Sequence, residues 1–333
     1  MPREVLIVKR RTLALVLAVA LVAGVVLSGF AVASAQEKET YNFVIITHSA
    51  TIPFWVPLVK GAQDAARAIS LAEGVEINVR HMGPHLFNVE EQVSIFENAI
   101  QSGVDGIIAT LPDLNAFDAP VANALARGIP VIATNTDDTS GDNPRLAYVG
   151  QRDITAGNVM GQKIVELIGT SGKIAIGLED LGHPSLQDRL TGVKQILDQT
   201  DIQYEILHTT ADLTVAVSTF ESWLLANPDA KGIFSVDQTG TTAHGTVIRN
   251  LGLKGQIVSG GWDLAPATLQ NIIDGYTQFT IDQTPYLQGY YPVVGLYLYL
   301  KYGIAPSDVD TGATIVDASN VHDVIALSQA GYR

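Results

Sequence analysis

The sequence predicts an α/β protein with two doubly wound, Rossmann-like lobes, each built on a parallel sheet. Short apolar runs rich in β-branched residues alternate with stretches whose apolar residues lie three and four positions apart, which predicts alternating strands and helices. Strict alternation with short loops indicates parallel sheets covered by helices on both faces. The pattern runs to residue 149 and then restarts, and 333 residues exceed one typical core. Two lobes are therefore expected.

The first 35 residues are predicted to be a secretory signal peptide that is not part of the fold. Lys9-Arg10-Arg11 is a basic region, residues 13–32 are almost wholly apolar, and Ala33-Ser34-Ala35 has the pattern of a cleavage site. Cleavage is expected near Ala35, which predicts a periplasmic or extracytoplasmic protein. The alternative is an uncleaved membrane anchor, because the apolar run approaches the roughly 20 residues that span a bilayer.

The composition excludes several functions. The formal net charge is −14, and it becomes −17 without residues 1–35, which hold Arg3, Glu4 and Lys9-Arg10-Arg11. Binding to nucleic acid needs a basic surface, so no nucleic-acid partner is expected. The chain has no cysteine, which excludes disulfides, zinc-thiolate sites and cysteine nucleophiles.

The predicted elements follow one another in a regular order. Asn88, with Glu91 three residues later, forms a capping-box signal for a helix start, and Gly128 is placed to end a helix. The first half predicts strands at 42–46, 75–79, 104–110, 129–134 and 146–149, with helices at 54–69, 89–101 and 114–126. The second half predicts helices at 154–168, 186–198, 215–226, 241–251, 266–273, 286–302 and 321–327, with strands at 173–177, 204–208, 232–236, 256–259, 276–281 and 314–316.

The loops that nucleotide enzymes need are missing. No G-x-G-x-x-G follows the first strand, and the sequence contains no P-loop, no G-x-S-x-G and no H-E-x-x-H. His81 and His85 are four residues apart, but Gly83-Pro84 between them prevents the helix that would pair them on a metal. No cofactor, no metal and no catalytic residues are expected.

Single polar side chains follow the predicted strands instead. His48, Asn135, Asp237, Asp263 and Gln283 come after five different strands, and Arg189 lies in the first turn of a helix. These groups would meet at the carboxyl edges of the sheets. Carboxylates, amides and a guanidinium beside flat aromatic rings suit a polyhydroxylated ligand, and Phe54 and Trp55 at a helix start supply such rings. The alternatives are that the aspartates cap helices and that the two aromatics are core residues.

The chain resembles the periplasmic solute-binding proteins of the ribose/galactose type, which serve sugar ABC transporters. The resemblance covers essentially residues 41–316 and rests on the order and spacing of short motifs. These are Pro53-Phe54-Trp55, the strand 104–108, the stretch Gly128-Ile129-Pro130-Val131-Ile132, Gly182-His183-Pro184 with Arg189-Leu190-Thr191-Gly192, Gly261-Trp262-Asp263 and Thr280-Ile281-Asp282-Gln283.

The resemblance implies two lobes joined by a three-stranded hinge, with crossings near Gly150-Gln151, Gln283 and 310–313. It implies an N-terminal lobe of residues 41–150 plus 284–312 and a C-terminal lobe of residues 151–283 plus 313–333. Phe54 and Trp55 would stack on a sugar and Arg189 would clamp it. Hydroxyl groups would bind Asp237, Asp263 and Gln283, with His48 as a further partner.

Two departures from the family pattern concern the ligand. Asn135-Thr136 stands where the family commonly has Asp followed by Arg, which puts ribose itself in doubt. Leu213 stands where the family often has an aromatic residue, and Trp262 is expected to cover that face instead.

The predicted function is an exported receptor that delivers a monosaccharide or polyol to an ABC transporter permease by closing around it, as a monomer and without enzymatic activity. Alternatives are a receptor coupled to a chemoreceptor or sensor kinase, and a binder of a non-sugar polar molecule. A transcription regulator with the same core would need a helix-turn-helix where this chain has a signal peptide. An enzyme is the remaining alternative.

Overall fold

The computed structural model describes residues 39–138 and 141–333, and Thr40–Arg333 forms one compact unit. The predicted signal peptide lies outside the described residues. The first part contains strands β1 (Thr40–Ile46), β2 (Glu76–Met82), β3 (Gly106–Ala109), β4 (Val131–Thr134) and β5 (Ala147–Gly150), with helices α1 (Trp55–Glu73), α2 (Val89–Gln101) and α3 (Asp118–Ala126) between them. None of the helices in the described ranges is long and apolar enough to cross a membrane.

The second part continues the alternation. It contains helices α4 (Asp153–Ile168), α5 (Pro184–Leu197), α6 (Leu213–Ala226), α7 (Gln238–Asn250) and α8 (Pro266–Ile273), with strands β6 (Ser171–Leu178), β7 (Asp201–His208), β8 (Gly232–Ser235), β9 (Val258–Trp262) and β10 (Phe279–Asp282). Then follow α9 (Pro285–Tyr302), β11 (Val309–Asp310), β12 (Thr314–Asp317) and α10 (Val321–Gln329).

The strands form two six-stranded sheets, and the predicted fold class is confirmed. The strand orders are β11-β5-β4-β3-β1-β2 and β12-β10-β9-β8-β6-β7. All pairs of the first sheet are parallel. The second sheet corrects the prediction in one respect, because its edge strand β12 runs antiparallel to β10. Sequence reasoning also missed β11, which has only two residues.

Both faces of the first sheet are covered, which explains the nearly continuous apolar strands. Ile45 and Ile108 point to one face, where they pack with residues of α1 and α9. Val44, Ile46 and Ile107 point to the other face, against α2 and α3. Alternate residues of each strand therefore meet different helices, and the loops at the strand ends are held between two cores.

The chain passes between the sheets three times. It leaves the first sheet after β5, returns between β10 and α9, and leaves again between β11 and β12. Amide side chains join these crossings. Gln151 Nε2 donates to Gly312 O at 2.9 Å, and Gln288 Nε2 donates to Gln283 O at 3.0 Å and to Thr311 Oγ1 at 3.2 Å. The exact lobe boundaries given above stay predictions.

Helices α4 and α5 approach each other closely through glycine. A Cβ on Gly157 would lie 2.1 Å from the carbonyl oxygen of Arg189, and one on Gly192 would lie 2.1 Å from that of Ile154. Any side chain at either position would push the helices apart. The contact places Arg189 on α5 beside Asp153 at the start of α4.

The segment after α10 reaches from the second sheet's helices to α1 and α9. The ring of Tyr332 lies 5.7 Å from that of Tyr286, and Lys60 Nζ lies 4.3 Å from the centroid of the Tyr332 ring. Arg333 pairs with the buried Asp282, with Nε at 2.9 Å and Nη2 at 2.6 Å from Oδ2. Residues 331–333 therefore connect α10 to elements packed on the first sheet and to the second crossing.

Candidate ligand-binding site

A cavity of about 220 Å³ lies between the two sheets, beyond the carboxyl ends of their strands. Eight of the nine predicted site residues line it: His48, Phe54, Trp55, Asn135, Arg189, Asp237, Asp263 and Gln283. They come together because parallel strands end at the same edge and the two edges face each other. Trp262 does not line the cavity.

Asn135 and Asp263 occupy matching places in the two sheets. Each follows the fourth strand along the chain of its sheet, and each has a positive φ, 62° for Asn135 and 71° for Asp263. Asn and Asp tolerate this left-handed conformation better than other side chains that contain a Cβ. Gln283 joins them, because Asn135 Nδ2 donates to its Oε1 at 3.2 Å and its Nε2 donates to Asp263 Oδ1 at 2.7 Å.

Arg189 is buried and held from three directions. Its Nε donates to Asp153 Oδ1 at 2.8 Å, its Nη1 to the Val236 carbonyl at 3.2 Å and its Nη2 to Gln283 Oε1 at 3.3 Å. Five donors in a fixed plane allow these three bonds and leave two N–H groups for a ligand. Burial raises the pKa of the Asp153 carboxyl, and the ion pair with Arg189 opposes that shift.

Asp237 both caps a helix and lines the cavity. Its Oδ1 accepts the Gly240 N–H at 2.7 Å at the start of α7, and its Oδ2 accepts the Glu179 N–H at 2.9 Å. Burial and the nearby Glu179 carboxylate raise its pKa. The capping interpretation and the site interpretation of Asp237 therefore describe the same side chain.

Asp263 is a desolvated carboxyl beside a cation. Burial raises its pKa to about 6, and the Arg189 charge and the Gln283 hydrogen bond oppose that rise. A carboxyl that is costly to ionise without a partner is suited to accept hydrogen bonds from a ligand that fills the cavity.

The expectation for Trp262 is corrected by the structure. Its side chain is fully buried in the core of the second sheet, and its Nε1 donates to Gln151 Oε1 at 2.9 Å. Because it ends β9 on the face that points into the core, it cannot cover a ligand. It lies behind Arg189 instead.

Trp55 belongs to the core and to the cavity wall. It is only 3% exposed, packs with Leu58 and Val293, and meets the rings of Phe54 and His48 edge to face at 5.0 and 5.1 Å. Its Nε1 is buried without a hydrogen-bond partner among the described residues. Trp55 therefore packs in the core and also lines the cavity, and its contact with a ligand stays a prediction.

The comparisons with known proteins agree with this geometry. A family model described as a periplasmic binding protein domain matches residues 43–303. The chain belongs to the periplasmic binding protein family. The family predicted from the sequence motifs is confirmed.

Several proteins similar to this chain are described as sugar-binding proteins or were solved with a bound sugar. The xylose/arabinose-binding protein XylF of Sulfolobus acidocaldarius is 35% identical over 316 residues, covering 90% of this chain and 77% of that protein. The D-allose-binding periplasmic protein of Escherichia coli is 24% identical, covering 79% and 83%. The crystal structure of an ABC transporter solute-binding protein from Burkholderia graminis in complex with D-arabinose has a TM-score of 0.78 and 29% identity, covering 86% and 97%.

Sequence reasoning missed several residues of the cavity wall: Ile52, Phe87, Thr136, Glu179, Asp180, His183, Ser185, Leu186, Ala211 and Gln238. His183 stands in one of the motifs on which the family resemblance rests, but that motif alone predicts no role for its side chain. Phe87 directly precedes the helix cap Asn88, and that position was the available signal. Leu213, the expected site of an opposing aromatic, is 48% exposed and does not line the cavity.

Two histidines in the cavity wall are held neutral. Burial, with the nearby His183, lowers the pKa of His48 to about 3. Burial, with the charge of Arg189, lowers the pKa of His183 to about 4, against the effect of Asp180. Over residues 39–138 and 141–333, no group of three His, Asp or Glu side chains is arranged to hold a metal ion.

Proposed function

We propose that this protein is an exported sugar or polyol receptor that delivers its ligand to an ABC importer. The observation that carries the proposal is the cavity between the two sheets, where Arg189, Asp263 and Gln283 meet the aromatic side chains of Phe54 and Trp55. Planar polar groups beside aromatic rings match the hydroxyl groups and C–H faces of a small carbohydrate. Sugar-binding relatives over most of the chain support the same ligand class.

Each side chain has a proposed part in binding. Phe54 and Trp55 pack against the C–H face of the ligand. Arg189 donates its two remaining N–H groups, and Asp263, Asp237 and Asn135 accept from hydroxyl groups. Gln283 keeps one N–H for the ligand, because its other polar positions are used within the protein. His48 contributes a ring nitrogen at the first-strand edge.

Transport would use closure of the two lobes about the three crossings, and the closed form would be the one that a membrane permease recognises. In this proposal the lobes are residues 41–150 plus 284–312 and residues 151–283 plus 313–333. Residues 1–35 direct export and are removed near Ala35. The acidic protein acts as a monomer, and neither nucleic acid nor catalysis is part of its function.

The experiment is isothermal titration of the purified protein with D-xylose, L- and D-arabinose, D-ribose, D-allose, D-glucose, deoxysugars and inositols. At least one sugar or polyol should release heat with one-to-one stoichiometry and raise the melting temperature. Asp229→Asn, on an exposed turn away from the cavity, is the matched control for the acidic site variants. No heat and no thermal shift with any member of the panel would overturn the carbohydrate assignment.

A further inference from the structure

Three rings from three loops meet at the mouth of the cavity. His48 follows β1, Phe87 precedes α2, and His183 precedes α5. The His48 ring lies 5.5 Å from the Phe87 ring and 5.5 Å from the His183 ring, and Phe87 lies 6.0 Å from His183. His48 and Phe87 belong to loops of the first sheet, and His183 belongs to a loop of the second. These contacts exist only while the two halves are close together.

We propose that Phe87 and His183, together with His48, form an aromatic latch that holds the two lobes closed over the ligand. The latch rests on the proposed function, because it gives the closed form a contact that does not involve the ligand. Phe87 and His183 are then positioning residues, and they set how slowly a bound molecule leaves.

The surroundings of each ring are consistent with a contact that forms and breaks between the two halves. His48 is anchored in its own half, with Trp55 against its edge and its Nδ1 3.2 Å from Thr110 Oγ1. Phe87 is 45% exposed, although its ring touches both histidines. A large aromatic side chain held at the rim of a cleft, with its ring against the opposite half, contributes attraction between the halves. His183 therefore separates from both Phe87 and His48 when the cleft opens.

Protonation opposes this contact. His48 faces Thr110, Trp55, Phe87 and His183, whereas His183 faces the two rings, Arg189 and Asp180. Two adjacent cationic rings would repel each other, and burial would remove their water. Both rings regain water in an open form, where the pKa of histidine is near its ordinary value of about 6.5. Acidification below about pH 6.5 should therefore favour opening.

The buried carboxyl groups have the opposite effect, because their protonation on acidification favours the closed form. The pKa values of Asp263, Asp237 and Glu179 are raised mainly by burial, so the closed form binds protons at these groups more readily. Their effect and that of the latch can be separated only with a variant that removes the titration of His183 and keeps a ring. His183→Phe does this.

The test measures the separation of the lobes directly. The chain has no cysteine, so Glu97→Cys on α2 and Gln195→Cys on α5 give a unique pair of exposed label sites, one in each half of the molecule. Double electron–electron resonance of the spin-labelled full chain then reports the distribution of distances between the two labels. It is measured with and without the sugar that binds most tightly in the titration panel. The measurement without sugar does not depend on the proposed function.

Phe87→Ala and His183→Ala should shift the distribution to longer distances at pH 7.5 and accelerate sugar release about 3- to 10-fold. His183→Phe should keep the short distance and reduce the opening seen on acidification to pH 5. Leu86→Ala, an exposed neighbour in the same loop, is the control and should behave as the unmodified protein. Unchanged distances in both alanine variants, or full pH dependence in His183→Phe, would refute the latch. A panel without any bound sugar would refute only the proposed function.

Discussion

The guanidinium of Arg189 lies over the indole of Trp262, with its central carbon 5.0 Å from the ring centroid. The indole N–H in turn donates to Gln151 at the first crossing. A buried cation thus rests on an aromatic face that is fixed to the hinge. Its charge is balanced by Asp153, so in the proposed site the ligand would meet an arginine whose position is determined before binding.

Arg189→Lys should weaken ligand binding and destabilise the second half of the molecule. A lysine has no planar fork, so it cannot make the bonds to Asp153, Val236 and Gln283 at once. Leaving the buried Asp153 poorly paired should cost on the order of 3 kcal/mol of stability. Thermal unfolding and calorimetric titration check this. Lys194→Arg, in the last turn of the same helix, is the control, and equal affinity in the two variants would contradict the assigned part of Arg189.

Asp263→Asn should raise stability at pH 8 and lower ligand affinity. The pKa of Asp263 is raised to about 6, chiefly by burial, so ionisation is unfavourable in the folded protein. Because the pKa of Asp263 is higher in the folded than in the unfolded protein, its protonated carboxyl contributes stability below the unfolded pKa near 3.8. That contribution is lost as pH rises through about 6. Asparagine avoids that loss and tolerates the positive φ, so a gain of about 3 kcal/mol is expected at pH 8.

The measurement for Asp263→Asn is urea unfolding from pH 4 to pH 8. The unmodified protein should lose stability relative to Asp263→Asn as pH rises through 6, and the difference should vanish near pH 4. Asp229→Asn at an exposed turn should track the unmodified protein throughout. A difference that does not depend on pH would mean that the Asp263 carboxyl is not the titrating group.

Trp55→Phe should separate the two parts played by this side chain. The variant keeps most of the ring and removes a buried N–H that has no partner among the described residues. Stability should change by less than about 1.5 kcal/mol, because the swap is between large apolar rings. If Nε1 donates to the ligand, affinity should fall by about 1 kcal/mol. Trp223→Phe, in α6 of the other half, is the comparison for general loss of an indole, and it should leave affinity unchanged.

Arg333→Ala should lower the melting temperature and loosen the segment after α10. It removes the partner of Asp282, which is 1% exposed and would keep a buried charge. The expected loss is about 2 kcal/mol, the range for a hydrogen-bonded charged group. Differential scanning calorimetry gives the size of the effect. Lys254→Ala, which removes a different positive charge, is the control. A similar loss of stability in that variant would show that the change in net charge, and not the loss of the Arg333–Asp282 pair, is responsible.

Sequence patterns predicted the fold more completely than the site. The bounds of α2 and α8 agree with the sequence prediction because Asn88 caps one and Pro266 begins the other. Strand β11 was not predicted, because two residues are too few to show a periodic pattern. The face on which Trp262 points depends on which residues of β9 pair with β10, and the periodicity of one strand does not reveal that register.

The residues at strand ends could be predicted because topology alone brings them to one edge. The contact between Phe87 and His183 could not be predicted, because it arises from how closely the two halves approach. That distance is a property of tertiary packing, and no local pattern encodes it. Leu213, which stands where the family often has an aromatic residue, directly follows the helix cap Asp212, and its side chain is largely exposed to solvent.

The amide side chains that join the crossings have a mechanical consequence. Gln151 fastens the first crossing to the third, and Gln288 fastens the second to the third through Gln283 and Thr311. Three linkers tied to one another cannot twist separately, so in the proposed closure the halves would turn about a shared axis. Ligand affinity and opening angle would then change together. A substitution that removes the hydrogen bonds of Gln151 or Gln288 would let the same sugar bind without producing one defined closed shape.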